Sequence, residues 1–214
     1  MVTHTRKIAV LTGDLVGSTA LGPQKIEQAF EALKDCAEMQ AAWMGDSLHF
    51  TRHRGDGWQV ALTAPKYALR SALAFRAALR SLGREFDSYI GIAEGEIGAT
   101  ISMDLNDATG SAFVASGHLL DKVSQLSTTE KMAYGQNKAL NAVVVLADHI
   151  SQGWTPAQAS AILPYLKTLD DPSFTDVAKA LGKSRQSITK SLEAAALSPL
   201  RMALTSLEKG PYFD

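Results

Sequence analysis

The stretch from Phe174 to Leu192 restricts most tightly what this chain can fold into. Phe174-Thr175-Asp176-Val177-Ala178-Lys179-Ala180-Leu181-Gly182 is a short helical pattern that a glycine ends, and Lys183-Ser184 lead directly into a second helix running to Leu192. Ala178 is small where two helices must cross closely, Gly182 permits a left-handed turn, and Ser184 can cap the second helix. Val177, Leu181, Ile188 and Leu192 supply the apolar side that the pair shares. The pattern predicts a helix-turn-helix. Its second helix then presents Lys183, Ser184, Arg185, Gln186, Thr189 and Lys190 outward, side chains of the types that hydrogen-bond base edges and phosphates in a major groove. Lys179, Lys183, Arg185 and Lys190 also outnumber Asp176 and Glu193 locally. DNA is the expected partner, although the same geometry also serves protein contacts. No β-hairpin wing follows Leu192; Glu193 to Glu208 reads as helix, interrupted at Ser198-Pro199.

A local basic face matters because the chain as a whole has none. Its 214 residues carry a net charge of −1, so no global field draws it to nucleic acid. The apolar fraction of 46% and charged fraction of 20% suit a conventional packed core and exclude a disordered or fibrous chain. Cys36, the single cysteine, has no internal disulfide partner and no companion for a metal site, so it reads as a small buried residue. No charged-then-apolar leader and no membrane-length apolar run is found, and the expected location is cytoplasmic, away from membranes.

Ahead of the helix-turn-helix the periodicity alternates. Lys7 to Gly13 (KIAVLTG) reads as a strand buried on both faces. Pro23 opens a long amphipathic helix that ends near Gly45. Leu48 to His53 and Trp58 to Thr63 flank Arg54-Gly55-Asp56-Gly57, which predicts a hairpin with Asp56 at its tip. Pro65 to Leu82 is helical, and its Arg76, Arg80 and Arg84 form a basic stripe that reads as a solvated face. Tyr89 to Ile97 is a strand whose Gly91 and Gly95 mark a close approach or bulge. A loop over Asp104 to Gly110, a helix over Ser111 to Ser124 and a short strand over Lys131 to Gly135 follow. The order β-α-β-β-α-β-α-β predicts an α+β domain on a ferredoxin-like or cyclase-like mixed sheet with flanking helices, joined to an all-α module. The expected divisions are residues 1–136 for the α+β domain, 137–153 for a linking helix and 154–214 for the helix-turn-helix module.

Asp14 follows the first strand, and Gly17-Ser18-Thr19 come before the next helix. A carboxylate at a strand end, with a glycine turn whose N–H groups can face a phosphate, is one half of a metal–nucleotide site. Asp56 supplies the other half if the hairpin neighbours the first strand, since two such carboxylates can hold Mg²⁺ or Mn²⁺ on a nucleoside triphosphate. Gly-Asp-Gly is equally an ordinary turn, and Asp14 equally an ordinary cap. His49 and His53, spaced to share one strand face near Asp56, read as packed or solvated and are assigned no role.

Asp14-Leu15-Val16-Gly17-Ser18-Thr19, Gly55-Asp56-Gly57 and Ile90-Gly91-Ile92 with Gly95 resemble, in order, the motifs of the class III nucleotidyl cyclase domain over residues 7–135. With Gly110-Ser111-Ala112-Phe113 and the C-terminal helix-turn-helix, the chain resembles the SatD family more closely. The resemblance implies that Asp14 and Asp56 hold metal ions, that Gly17 and Ser18 sit at the triphosphate, and that Arg52 stands where cyclases place a purine-selecting lysine. Where the cyclase pattern has a ribose-orienting Asn and, four residues on, a transition-state Arg, this chain has Val114 and His118. Valine cannot hydrogen-bond a ribose, and losing a fixed cation at a phosphoryl group costs on the order of 10² in rate. The combined expectation is a homodimeric DNA-binding regulator whose degenerate cyclase-like domain binds a nucleotide effector or metal without efficient turnover. A metal-dependent cyclase or phosphoryl-transfer enzyme using Asp14 and Asp56, and a helix-turn-helix protein scaffold, are the alternatives.

Overall fold

The computed structural model describes residues 5–53, 55–98, 101–102, 104–125, 129–135 and 137–210. Strand β1 (Arg6–Leu15) is followed by the short α1 (Ser18–Leu21) and the long α2 (Pro23–Met44). A hairpin of β2 (Thr51–Arg52) and β3 (Gly57–Leu62) leads through a 3-10 turn (Pro65–Tyr67) into α3 (Ala68–Leu82). Then come β4 (Ser88–Ile97), α4 (Ser111–Gln125) and β5 (Met132–Tyr134). The rest is helical: α5 (Lys138–Gln152), α6 (Pro156–Leu166), α7 (Phe174–Ala180), α8 (Arg185–Ala194) and α9 (Leu197–Lys209).

The five-stranded sheet has the order β2-β3-β1-β4-β5. β1 runs antiparallel to both β3 and β4, and β5 adds to the outer edge of β4 in parallel. The first four strands, with α2 and α3 as crossovers, therefore form the ferredoxin-like arrangement that the element order predicts, extended into a mixed sheet by β5. β1 is central because both of its faces are apolar. Ile8 and Val10 pack with Ile101, Leu105 and Phe113 beneath α4, while Ala9, Leu11 and Leu15 face α2 and α3.

Gly91 and Gly95 mark close approach, as their place in the strand predicts. A Cβ at Gly91 would lie 2.1 Å from the Ser116 carbonyl oxygen and 2.6 Å from the Leu120 nitrogen, both backbone atoms of α4. The missing side chains let α4 settle onto β4.

Three expectations need correction. The first hairpin strand is only Thr51–Arg52; His49 lies before it at φ +49, so it does not continue the pleat toward His53. The C-terminal break falls at Ala196, which takes φ +59, and not at Ser198-Pro199. Pro199 sits in the first turn of α9, where its missing N–H costs no helical bond. The Arg76, Arg80 and Arg84 stripe is not a uniformly solvated face: Arg84 is exposed, but Arg76 is 0% exposed and Arg80 is largely covered.

Arg76 organises a buried polar cluster. It donates to Asp87 at 3.1 Å, to Asp148 at 2.5 Å and to Ser151 at 2.8 Å, joining α3 to the start of β4 and to α5. Nor does the helical part stand apart from the sheet. One apolar cluster runs from β1 and β3 through α3 into α5, α6, α7, α8 and α9. Arg70 on α3 forms a bidentate pair with Glu208 on α9 at 2.6 and 3.0 Å, and it donates to the Tyr165 carbonyl of α6 at 2.9 Å.

Candidate functional site

Asp14 lies at the end of β1, opposite Gly57 of β3 and Tyr89 of β4. Trp58 helps to fix that strand end. A Cβ at Gly13 would fall 2.1 Å from the indole ring, so only glycine admits the ring here. The indole Nε1 donates to Ser88 Oγ at 3.0 Å, and Ser88 Oγ lies 2.8 Å from the Asp14 carbonyl oxygen. The hairpin tip docks on the same end: Leu15 N donates to the Asp56 carbonyl at 3.2 Å, and Val16 N to that of Asp87 at 2.9 Å. Gly17 then turns the chain at φ +64 into α1, a left-handed conformation suited to glycine.

This framework brings Asp14, Asp56 and Ser18 together. Ser18 Oγ donates to the Asp56 carboxylate. Burial, reinforced by the charge of Asp56 and a hydrogen bond to it, pushes the Asp14 carboxyl up to about 6. Asp14 thus favours its protonated form beside Asp56, and a divalent cation can take that proton's place. Among the described residues no group of three or more His, Cys, Asp or Glu converges on a metal position. A cation held by this pair would therefore complete its shell with oxygens from outside the side-chain set, as Mg²⁺ does with phosphates and water.

The raised Asp14 value has a consequence for stability. Above its unfolded value of 3.8, the folded state keeps the proton more readily than the unfolded chain does. The associated stability is thus fully present below the unfolded value and lost as pH rises through about 6. Asp14→Asn, which keeps a hydrogen-bonding group and drops the charge, is expected to melt higher than the parent at about pH 7.5 and close to it at about pH 4. Thermal melts across that range check this.

Arg52 is not brought to the pair. Thr51, one residue earlier, registers with Gln59, whose side chain donates to Thr12 at 2.8 Å, while Thr12 lies 2.7 Å from Ser116 on the α4 side. Arg52 points to the opposite face, stacked 3.8 Å over Phe30 and bonded to Glu27 at 2.8 and 3.0 Å. His53 contacts Asn106 at 2.5 Å, and the buried His49 leaves Nδ1 without a partner among the described residues. Arg54 of the connector lies outside the described residues. Val114 and His118 are both exposed on α4. Ser88, which ties down the backbone of Asp14, has no sequence motif; only strand register finds it.

The second cluster is on α8. Ser173 caps α7 and Ser184 caps α8, each accepting from a backbone N–H in the first turn. Gly182 takes φ +60 between them. Val177, Ala178, Ile188 and Leu192 are buried, so Lys183, Ser184, Arg185, Gln186 and Lys190 are left exposed, with Lys179 beside them. Thr189 is half-buried and returns its hydroxyl to the Arg185 carbonyl at 3.0 Å. Among the described residues no carboxylate pairs with Lys179, Lys183, Arg185 or Lys190, as the ion pairs formed lie elsewhere. No helix is long and apolar enough to cross a membrane among the described residues.

No protein-family model and no curated protein matches the chain. Among solved structures, it is similar to a bacterial light-regulated adenylyl cyclase at 18% identity and a TM-score of 0.45, covering 61% of this chain and 43% of that one. A second structure of a bacterial light-regulated adenylyl cyclase gives 18% identity and a TM-score of 0.45 over 61% of this chain and 76% of that one. The guanylyl cyclase Cya2 gives 20% identity and a TM-score of 0.41 over 56% and 71%. The chain thus spans less than half the length of the first of these structures.

Proposed function

We propose that this protein is a DNA-binding regulator of the SatD type, in which a cyclase-like domain holding a metal or nucleotide at Asp14 and Asp56 is packed against a helix-turn-helix. The observation that carries this reading is the capped, exposed first turn of α8, whose cations are matched by no carboxylate among the described residues. Unpaired cations beside a polar, uncharged Gln186 suit a surface that meets phosphates and base edges. Thr189, tied to its own helix, contributes less to recognition than its spacing suggests.

Fluorescence anisotropy with duplex DNA over a salt series tests the reading. Binding should weaken steeply with salt, Arg185→Ala with Lys190→Ala should abolish it at moderate salt, and Lys190→Ala alone should flatten the salt slope by about 1. Salt-insensitive binding, or binding that survives the double change, rejects it.

The convergence of Asp14 and Asp56 favours a second reading, metal-dependent nucleotidyl or phosphoryl transfer. The arrangement offers two carboxylates for the metal, and Gly17 and Ser18 beside them for a phosphate, while Val114 replaces the group that would orient the ribose and His118 the one that would stabilise the transition state. Incubation with each nucleoside triphosphate and Mn²⁺ decides the matter: product that vanishes in Asp56→Ala supports transfer, and no product leaves the site a binding site.

A further inference from the structure

Tyr165 carries a hydroxyl out of water and leaves it without a hydrogen-bond partner among the described residues. The residue is 3% exposed, its ring meets Phe174 edge-on with 6.1 Å between centroids, and its backbone carbonyl accepts from Arg70 at 2.9 Å. A buried hydroxyl with no partner is costly, so the group calls for an acceptor. Burial raises its pKa above the ordinary tyrosine value, and it therefore stays a donor. After burial, the charges that act on it most are those of Asp171 and Arg201, and both residues line one cavity together with Tyr165. The hydroxyl thus belongs to the cavity side of the ring.

That cavity, of about 410 Å³, lies where the 3-10 turn and α3 meet α6, residues 169–171 and α9. Its size is that of a small-molecule site. The ion pairs in its wall are closed: Arg70 holds both oxygens of Glu208 at 2.6 and 3.0 Å, and Arg201 both oxygens of Asp171 at 2.8 and 3.0 Å. Lys66 and Lys209 also line it, and among the described residues no carboxylate pairs with either. They outweigh Asp170, the lining carboxylate that forms no ion pair among the described residues. Tyr67 and Leu169 add aromatic and apolar surface on which a carbon skeleton can rest. One buried donor, two uncommitted cations and an apolar wall match a small organic molecule with two negative charges.

We propose that this cavity binds a small organic dianion, with one anionic oxygen on the Tyr165 hydroxyl and the charge held between Lys66 and Lys209. The site rests on neither the DNA reading nor the Asp14 and Asp56 pair. Calorimetric titration of the full chain in metal-free buffer, with succinate and with glycerol 3-phosphate, tests it. At least one of the two should bind saturably at millimolar concentration, and the one preferred tells a carboxylate ligand from a phosphate ester. Tyr165→Phe should weaken binding at least about tenfold, as expected when a hydrogen bond to a charged group is removed. Lys66→Ala with Lys209→Ala should abolish it, whereas Arg185→Ala, on the exposed start of α8, should leave it unchanged. Tyr165→Phe removes a hydroxyl that bonds to none of the described residues, so without ligand it should melt at or above the parent's temperature. Absence of saturable binding by both compounds overturns the proposal. So does binding that survives Tyr165→Phe, which would mean that the hydroxyl holds a water only, or binding lost in Arg185→Ala, which would place the anion on α8.

Discussion

Arg76→Met is expected to destabilise the protein by about 3–5 kcal/mol, a large share of the roughly 5–15 kcal/mol that holds a domain folded. The size follows from what stays behind. Arg76, Asp87 and Asp148 are all buried, and the guanidinium reaches both carboxylates. Burial alone would raise the Asp87 carboxyl, yet Arg76, Lys131 and Arg80 together hold it below the usual range. Without Arg76, Asp87 keeps Lys131 at 2.8 Å, while among the described residues Asp148 keeps on its other oxygen only the Lys131 backbone N–H and the Gln152 amide. Urea denaturation of Arg76→Met, Asp148→Asn and the double variant measures the pair directly. The double should cost less than the sum of the singles, because removing both charges leaves no uncompensated carboxylate. Strict additivity would show that the pair contributes nothing beyond its parts. The depressed Asp87 value also sets a sign with pH: its stabilisation is present above the unfolded carboxyl value and lost as pH falls, and the acid sensitivity of the parent should shrink in Arg76→Met.

Gly91→Ala is expected to cost about 3 kcal/mol, the upper end of what one added methyl costs in a packed core. The new Cβ would meet the Ser116 carbonyl oxygen at 2.1 Å and the Leu120 nitrogen at 2.6 Å. Both are backbone atoms, so no rotamer change relieves the clash and α4 must move as a unit. Moving it also breaks the buried 2.7 Å contact between Thr12 and Ser116, in which Gln59 shares through Thr12. Gly117, the residue after Ser116 on α4, has nothing within 4 Å of an added Cβ, so Gly117→Ala is the control and should be neutral or slightly stabilising. Equal midpoints for the two variants in chemical denaturation would mean that α4 is not seated on β4 as described.

Elements were legible where one local rule acts alone. The doubly apolar Lys7 to Gly13 run became the central β1, Gly45 became the left-handed end of α2, and Ser184 and Gly182 took the roles their chemistry suits. Legibility failed where the deciding partner is distant in sequence. Arg76, Arg80 and Arg84 share a spacing, but Asp87 and Asp148 draw only the first two inward. Arg52 occupies a plausible position for a nucleotide contact, yet strand alternation and Phe30 take it to the other face of the sheet.

Sequence by itself therefore determined the strand and helix order, the ferredoxin-like core it implies, and the helix-turn-helix with its outward basic residues, since periodicity, caps and glycine conformations act within a few residues. Tertiary structure alone decided that Asp56 docks beside Asp14, that Ser88 anchors the Asp14 backbone, and that α3 shares one core with the helical module. The reason is physical. Convergence of carboxylates and burial of a guanidinium depend on sheet register and packing between segments far apart in the chain, and no local pattern specifies those contacts.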